Sequence, residues 1–476
     1  MILEILKWIA SILGVCVVFG VTVFVHELGH FLAARRKGLY VDRFSIGFGP
    51  KIFGFKRGGV EYIIGCIPFG GYVSLPQMAP MEMVEGKVEG DVDLSKLPPI
   101  TPWAKIVTAF WGPLFSFLLA LACATLLFFI GKNQNVTLKT TTVGFVEEGS
   151  PAATAGVLPG DVIKRINGQE VTHWSKNGVG GILQAIVLSS GETIKIELER
   201  DGELIIHELK PEPNPDLEGL RGVGFENLDN RYMPLIVEKI LTEDAPAAVA
   251  GLQSADQIVA VDGKSVYSMA QISEMITSSE GAVTLSILRD GNPMDISVTP
   301  RLELSMDRKM IGVVWRNDFK ELVYPNPLTQ VQDSLLTMGL TLYALVNPKS
   351  DVGPKHMSGP IGIFDVLRKL LLKDFRDLMA FCVFFNVNLA ILNLLPLPIL
   401  DGGHITFAFV EWLRRKPMNV KVLYGLQTSF FIILIAFMLF VSFHDVLRIK
   451  RTSTKVKELK QIEEQRGDAR FAPESK

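Results

Sequence analysis

The chain has 476 residues, 48% hydrophobic and 21% charged, with a formal net charge of −2. That length allows about two to four domains, and the near-neutral balance gives no electrostatic basis for a nucleic-acid partner. Cys16, Cys66, Cys123 and Cys382 form no C-x-x-C pair, so neither a disulfide framework nor a cysteine zinc site is indicated.

The first element is an apolar run, Trp8 to Val25, without Asp, Glu, Lys, Arg or His. Three more follow: Ile106 to Ile130, Leu378 to Leu400, and Val422 to Phe443. Roughly 20 apolar residues in a helix cross a hydrocarbon core. The expected fold class is therefore a polytopic α-helical membrane protein with four transmembrane helices in a lipid bilayer. The first run is too long for a signal-peptide core and no A-x-A site follows, so it reads as a retained span.

"FVHELGH" closes the first run. H-E-x-x-H on a helix places His26 and His30 at i and i+4, on one face, where both can reach one zinc ion. Glu27 is then the candidate general base toward a zinc-activated water. A charged side chain deep in a membrane costs about 2.5–3.5 kcal/mol on insertion scales, and such residues are usually functional. A polar helix end reaching the headgroups would explain one such residue better than three in this register.

The loop from Phe31 to Val60 carries seven Lys/Arg and one acid, and the loop after the third run carries Arg414, Arg415, Lys416 and Lys421. Positive loops stay cytoplasmic. Both termini and the segment 131–377 are then expected on the outer side. The basic tail after His444 argues the other way, but two loops outweigh one tail. The β-prone stretch 60–75 is expected to form a membrane-associated hairpin on the cytoplasmic side. Its edge, at Gly70 and Tyr72, is a candidate template for a substrate strand. Residues 1–139 thus form a first membrane block.

The middle of the chain repeats. Residues 150–171 align without gaps on 245–266, with nine of 22 positions identical. A period near 90 residues is one small domain duplicated, here over 140–226 and 227–316. Each copy flanks one short helix with β-rich runs. Each copy resembles a circularly permuted bacterial PDZ domain, and the resemblance implies that Gly222 and Gly224 in "GVGF" and Gly312 in "IGVV" belong to the loop whose N–H groups approach a peptide carboxylate. The second copy departs from the first, with Ala255 where Gly160 stands. Spacers or size filters with unused grooves are the alternative. Amphipathic runs in 317–377 read as interfacial helices or a packed linker.

The third run ends in "NLLPLPILDGGH". The first and third spans run in the same direction, so Asp401 is expected at the depth of His26 and His30, as the third ligand with a position left open for water. His404 is a rival that the Gly402-Gly403 turn is expected to carry away. Prolines near the end of a span free backbone groups, which Asn388 and Asn393 can satisfy; the alternatives are that the two asparagines bind an unwound peptide or only glue helices together. The block 378–447 holds the last two spans, and the polar tail 448–476 is expected to be helical at first and then disordered.

Together, HELGH and N-L-L-P-L-P-I-L-D-G-G resemble the site-2 protease family of intramembrane zinc metalloproteases. "GSPAATAGVLPGDVIKRINGQEV" resembles the core of circularly permuted bacterial PDZ domains. The resemblance covers about residues 5 to 447. It implies two inserted periplasmic PDZ domains that gate substrate entry, a bacterial inner-membrane location, and Zn2+ as cofactor. It also implies that Asn393 and the Pro396/Pro398 kink lie beside the active site and help hold substrate. The implied substrate is a single-span membrane protein resembling an anti-sigma factor, trimmed first by a site-1 protease, with remnant signal peptides as further substrates. One departure stands out: the family pattern G-P-x-x-N early in the second span has Ser116 in place of the Asn. The alternative is a non-hydrolytic zinc-binding scaffold or transporter. No inverted repeat relates the spans, which argues against a transporter, and a scaffold has no need of Glu27.

Overall fold

Among the described residues, four helices are long and apolar enough to cross a membrane: Trp8–Lys37, Pro102–Ile130, Phe375–Asn393 and Val420–Thr454. Each contains the greater part of one uncharged run. The computed structural model describes residues 2–78, 98–135, 139–174, 180–214, 218–227, 234–303, 308–316, 320–467 and 471. The chain divides into two compact units. The first comprises Met1–Lys132, Val323–Met338 and Met357–Leu447; the second comprises Asn133–Leu322, Gly339–His356 and Arg448–Lys476.

In the first unit, the N-terminal helix Ile2–Lys37 ends on Arg35, Arg36 and Lys37, which suit the negative end of its dipole. The second-span helix starts with Thr101 capping the Ala104 N–H and Pro102 in its first turn. Its buried face carries Ala109, Gly112, Ser116, Ala120 and Ala124 at helical spacing. Small residues in a row let two helix backbones approach closely, which is how membrane helices pack without a hydrophobic driving force. Gly29 meets this face so tightly that a Cβ there would lie 2.2 Å from the Trp111 carbonyl oxygen. Farther along, the fourth-span helix buries Asp445, whose carboxylate accepts from the Gly359 and Gly362 N–H groups at 2.9 and 2.8 Å. It thereby caps the helix Pro360–Lys373, whose own N-cap residue is a glycine with no side chain to offer.

The stretch read from sequence as a basic loop holds a strand. Arg43–Arg57 and Val60–Ser74 form two long antiparallel strands that bend back on themselves. Residues 43–46 pair with both 71–74 and 61–64, while 51–57 pair with 60–65. The small sheet therefore runs 71–74, 43–46, 61–64, 53–57, with 71–74 at one edge. The basic residues did not preclude a strand because Lys51, Lys56 and Arg57 lie along its exposed length and the largely buried Arg43 pairs with Glu61. Lys51, for instance, sits 2.7 Å from Glu61 and holds that carboxyl below its usual range.

The second unit contains two β-rich domains built alike. In the first, a four-stranded sheet runs Gln169–Glu170, Val162–Ile166, Ile194–Arg200, Glu203–Leu209. In the second, the order Lys264–Ser265, Gln257–Val261, Val283–Arg289, Asn292–Val298 is the same. Each sheet packs its own apolar core, around Ile163, Ile196 and Leu198 in one and Ile258, Leu285 and Ile287 in the other. A buried ion pair is duplicated too. Arg200 grips Asp161 and Arg289 grips Asp256, each with two bonds of 2.6–2.8 Å. Ala255 takes φ +72° where Gly160 takes φ +98°. The glycine-to-alanine departure thus keeps the left-handed turn and carries its strain.

The segment 317–377 supplies the helices Pro327–Val346 and Pro360–Lys373. The helix that starts at Val420 continues to Gly467. The disorder expected at the end of the tail falls outside the described residues, except at Phe471, which is buried.

Candidate metal centre

His26, Glu27 and His30 are each 8% exposed, near the C-terminal end of the first-span helix. Asp401 opens the helix Asp401–Arg414, just after the third-span helix ends at Asn393. The donor atoms of His26, His30 and Asp401 all lie within 4.8 Å of one another. The separations are 3.2 Å between the two Nε2 atoms, 3.3 Å from His26 Nε2 to Asp401 Oδ2, and 3.2 Å from His30 Nε2 to Asp401 Oδ1. Ligands at about 2.0–2.1 Å from a tetrahedral zinc ion stand about 3.3–3.4 Å apart. Each histidine nitrogen thus stands at about that spacing from the other and from one oxygen of the Asp401 carboxylate, so the cluster can close on a single ion, and two imidazoles with one carboxylate suit zinc chemically.

The second span orients both imidazoles. His30 Nδ1 donates to the Thr108 carbonyl oxygen at 2.9 Å, which leaves Nε2 as the lone-pair nitrogen facing the centre. His26 Nδ1 lies 2.9 Å from the Ser116 hydroxyl, itself fully buried. Ser116 is thus not a vacant version of the expected Asn, because the shorter side chain reaches a ring nitrogen. Such outer contacts fix the ring and raise its basicity, and losing one typically costs about 10–100-fold in metal affinity. Ser116→Ala is expected to weaken zinc binding by about that factor, read by competition with a chelator. Unchanged affinity would mean that the contact orients nothing.

The glycines of "LDGG" have a packing reason. A Cβ on Gly402 would meet the Leu394 and Leu395 carbonyl oxygens at 2.3 Å, and one on Gly403 would meet the Leu397 oxygen at 2.2 Å. The first turn of the Asp401 helix therefore lies directly on the backbone that the end of the third-span helix leaves open. This corrects the reading of His404. Gly402 and Gly403 are helical and not a turn, so His404 stays on the side of Asp401, and both line one cavity. The three donors nonetheless converge without it.

That cavity has a volume of about 740 Å³. His26, Glu27, His30 and Asp401 lie on its wall, as do Gly70, Gly71, Tyr72 and Asn393. Pro396 and Pro398 are not among its lining residues. Glu27 is held by a hydrogen bond from the backbone of Val73, on the edge segment 71–74. Gly70 adopts φ +100°, and a Cβ there would strike the Phe48 ring at 2.2 Å. In the second unit, Gly224 and Gly312 have φ +76° and +78°, whereas Gly222 pairs with Glu212 in a short strand.

Sequence reasoning passed over Thr108, Ser116 as an orienting group, Val73, and the glycine at 112. A Cβ on Gly112 would sit 2.1 Å from His30 Nε2. The run of small residues from Ala109 to Ala124 is a signal of a close helix crossing, but nothing in it names the histidine on the other side.

The family model for peptidase family M50 matches residues 14–437. A Vibrio cholerae protein named, by inference, a zinc metalloprotease is 30% identical over 434 residues, covering 85% of this chain and 91% of that one. The regulator of sigma-E protease RseP of Escherichia coli is 29% identical over 438 residues, covering 88% and 94%. Among solved structures, the PDZ domain of an SdrC-like protein from Listeria innocua is similar to 18% of this chain, at 22% identity and TM-score 0.17.

Proposed function

This chain belongs to peptidase family M50, the site-2 proteases, and from that premise we propose that it cuts peptide bonds inside the membrane at the centre formed by His26, His30 and Asp401. The observation that carries the proposal is the set of three donor atoms at zinc-ligand spacing on the wall of a cavity that also holds Glu27. Zinc bound there supplies Lewis acidity, polarising a carbonyl and acidifying a water. Glu27 takes the proton of the attacking water on its carboxylate and returns it to the departing amide nitrogen. The Val73 backbone holds that carboxylate in place.

A substrate helix hides its carbonyls in its own hydrogen bonds, so it must be extended before attack. Residues 71–74 form a sheet edge on the cavity wall. Alternation along a strand puts Gly71 on the same edge as Val73, next in line from Glu27. A substrate strand added there passes the centre with main-chain bonds on one side and Asn393 on the other. Gly70→Val, Tyr72→Ala and Asn393→Ala are each expected to lower kcat/KM by about tenfold or more with zinc content unchanged. Normal cleavage by all three would remove the template from the mechanism.

The substrates proposed are single-span membrane proteins of the bacterial inner membrane, such as a pre-trimmed anti-sigma factor, and remnant signal peptides. The two β-rich domains are read as PDZ domains that gate entry on the outer side. The test is cleavage of a single-span model substrate by the purified chain before and after chelation. Activity is expected to vanish with the metal and to return with added zinc. Undiminished cleavage by chelated, zinc-free chain would end the proposal.

A further inference from the structure

We propose that the C-terminal tail is an intramolecular ligand of the second β-rich domain, anchored by Phe471 in an apolar seat beside the Gly312 loop. Phe471 is a lone aromatic in the polar sequence "GDARFAPESK", yet it is only 8% exposed. Its ring packs with Ala245, Ile240, Leu241, Ala248 and Met310. The Arg301 guanidinium lies over the ring, 5.4 Å from its centroid, close enough for a cation–π attraction. Phe471 also forms an antiparallel bridge to Glu303. An extended segment that adds main-chain bonds and drops one side chain into a pocket is a recurrent way to hold a peptide.

The duplication shows how this seat differs from the matching place in the first domain. In the first, Ser150 caps its short helix by accepting from the Ala153 N–H at 3.2 Å, and its hydroxyl donates to the Gly224 carbonyl oxygen at 3.3 Å. That serine closes the loop with a polar group. Its counterpart by the ungapped alignment is Ala245, which caps nothing. The loop is otherwise held alike, by Ala152 N–H to the Val223 oxygen in one domain and Ala247 N–H to the Ile311 oxygen in the other. Replacing serine by alanine thus exchanges a hydroxyl for apolar surface, and the Phe471 ring covers that surface. Gly312 leaves the room: a Cβ there would lie 2.9 Å from the ring.

The proposal stands apart from the proteolytic reading, and its test reads binding. A fluorescent peptide of residues 462–476 is titrated into three purified proteins: the intact chain, the chain ending at Gly467, and the full-length Phe471→Ala chain. The peptide is expected to bind the two open-seat proteins at least about tenfold more tightly than the intact one. The same peptide carrying Phe471→Ala should bind none of them. Ala245→Ser, which restores the residue of the first domain, and Arg301→Ala should each weaken the peptide about tenfold or more on the shortened chain. Equal binding to intact and shortened chains, no binding to either open-seat protein, or indifference to both seat variants would overturn the proposal.

Discussion

Glu27→Gln is expected to lower kcat/KM for a single-span substrate by about 10²–10⁴-fold, the usual contribution of a positioned general base. The amide keeps the size and can still accept the hydrogen bond from the Val73 backbone, so the edge strand stays in place. It cannot take a proton from water. The proposed metal donors are His26, His30 and Asp401, none of which is altered, so zinc content should stay at about one per chain. Asp401→Asn is the informative partner, because it should lose both metal and activity. A Glu27→Gln chain that cuts as fast as wild type would leave a zinc-binding scaffold as the better account. The three ligands alone do not separate these outcomes, since a scaffold and a hydrolase present the same set and only the hydrolase needs Glu27.

A single methyl group should be nearly as damaging. On helix propensity alone, Gly112→Ala ought to stabilise the second span by about 0.8–1.0 kcal/mol. The added carbon would, however, lie 2.1 Å from His30 Nε2 and 2.4 Å from its Cε1. Heavy atoms in proteins do not approach so closely, so something must shift. The Thr108 carbonyl, one turn before Gly112 on the same helix, fixes the ring through Nδ1, and the small-residue face of the second span packs closely against the first. The imidazole must therefore leave its position, and the steric term outweighs the propensity gain. Zinc affinity should fall by more than about 100-fold, with the helical circular dichroism unchanged. Gly20→Ala is the control, since a Cβ there meets nothing within 4 Å. Full metal content in the Gly112→Ala chain would show that the crossing is looser than the structure has it.

These two residues also mark where the sequence speaks and where it falls silent. The spans are legible because 18 or more residues without a charge have few other uses. The zinc motif is legible because histidine and glutamate are costly at the end of such a run. The groups that aim the imidazoles carry no comparable signal. Thr108 acts through its carbonyl oxygen, which every residue possesses, and Ser116 looks like one more small residue in a stripe of them. The strand at 43–57 was hidden behind its lysines and arginines, most of which lie along its exposed length. His404 was misplaced because a Gly-Gly pair reads as a turn, whereas here the two glycines let a helix start against open carbonyls. Local composition cannot distinguish a glycine that bends the chain from one that makes room for a neighbour.

The wiring of the centre has a consequence for how the protein is made. Both imidazoles, the Thr108 carbonyl, Ser116 and the glycine crossing belong to the first 116 residues, whereas Asp401 follows His30 by 371 positions. At translation rates of about 5–20 residues per second, roughly 20–75 s separate them on the ribosome. A nascent chain with two spans inserted therefore carries an oriented pair of ligands and a base, but no third ligand. On the proteolytic reading, the blade stays unassembled while the middle of the chain is made and folds. Its own early spans pass their most exposed moments beside a centre that cannot yet cut.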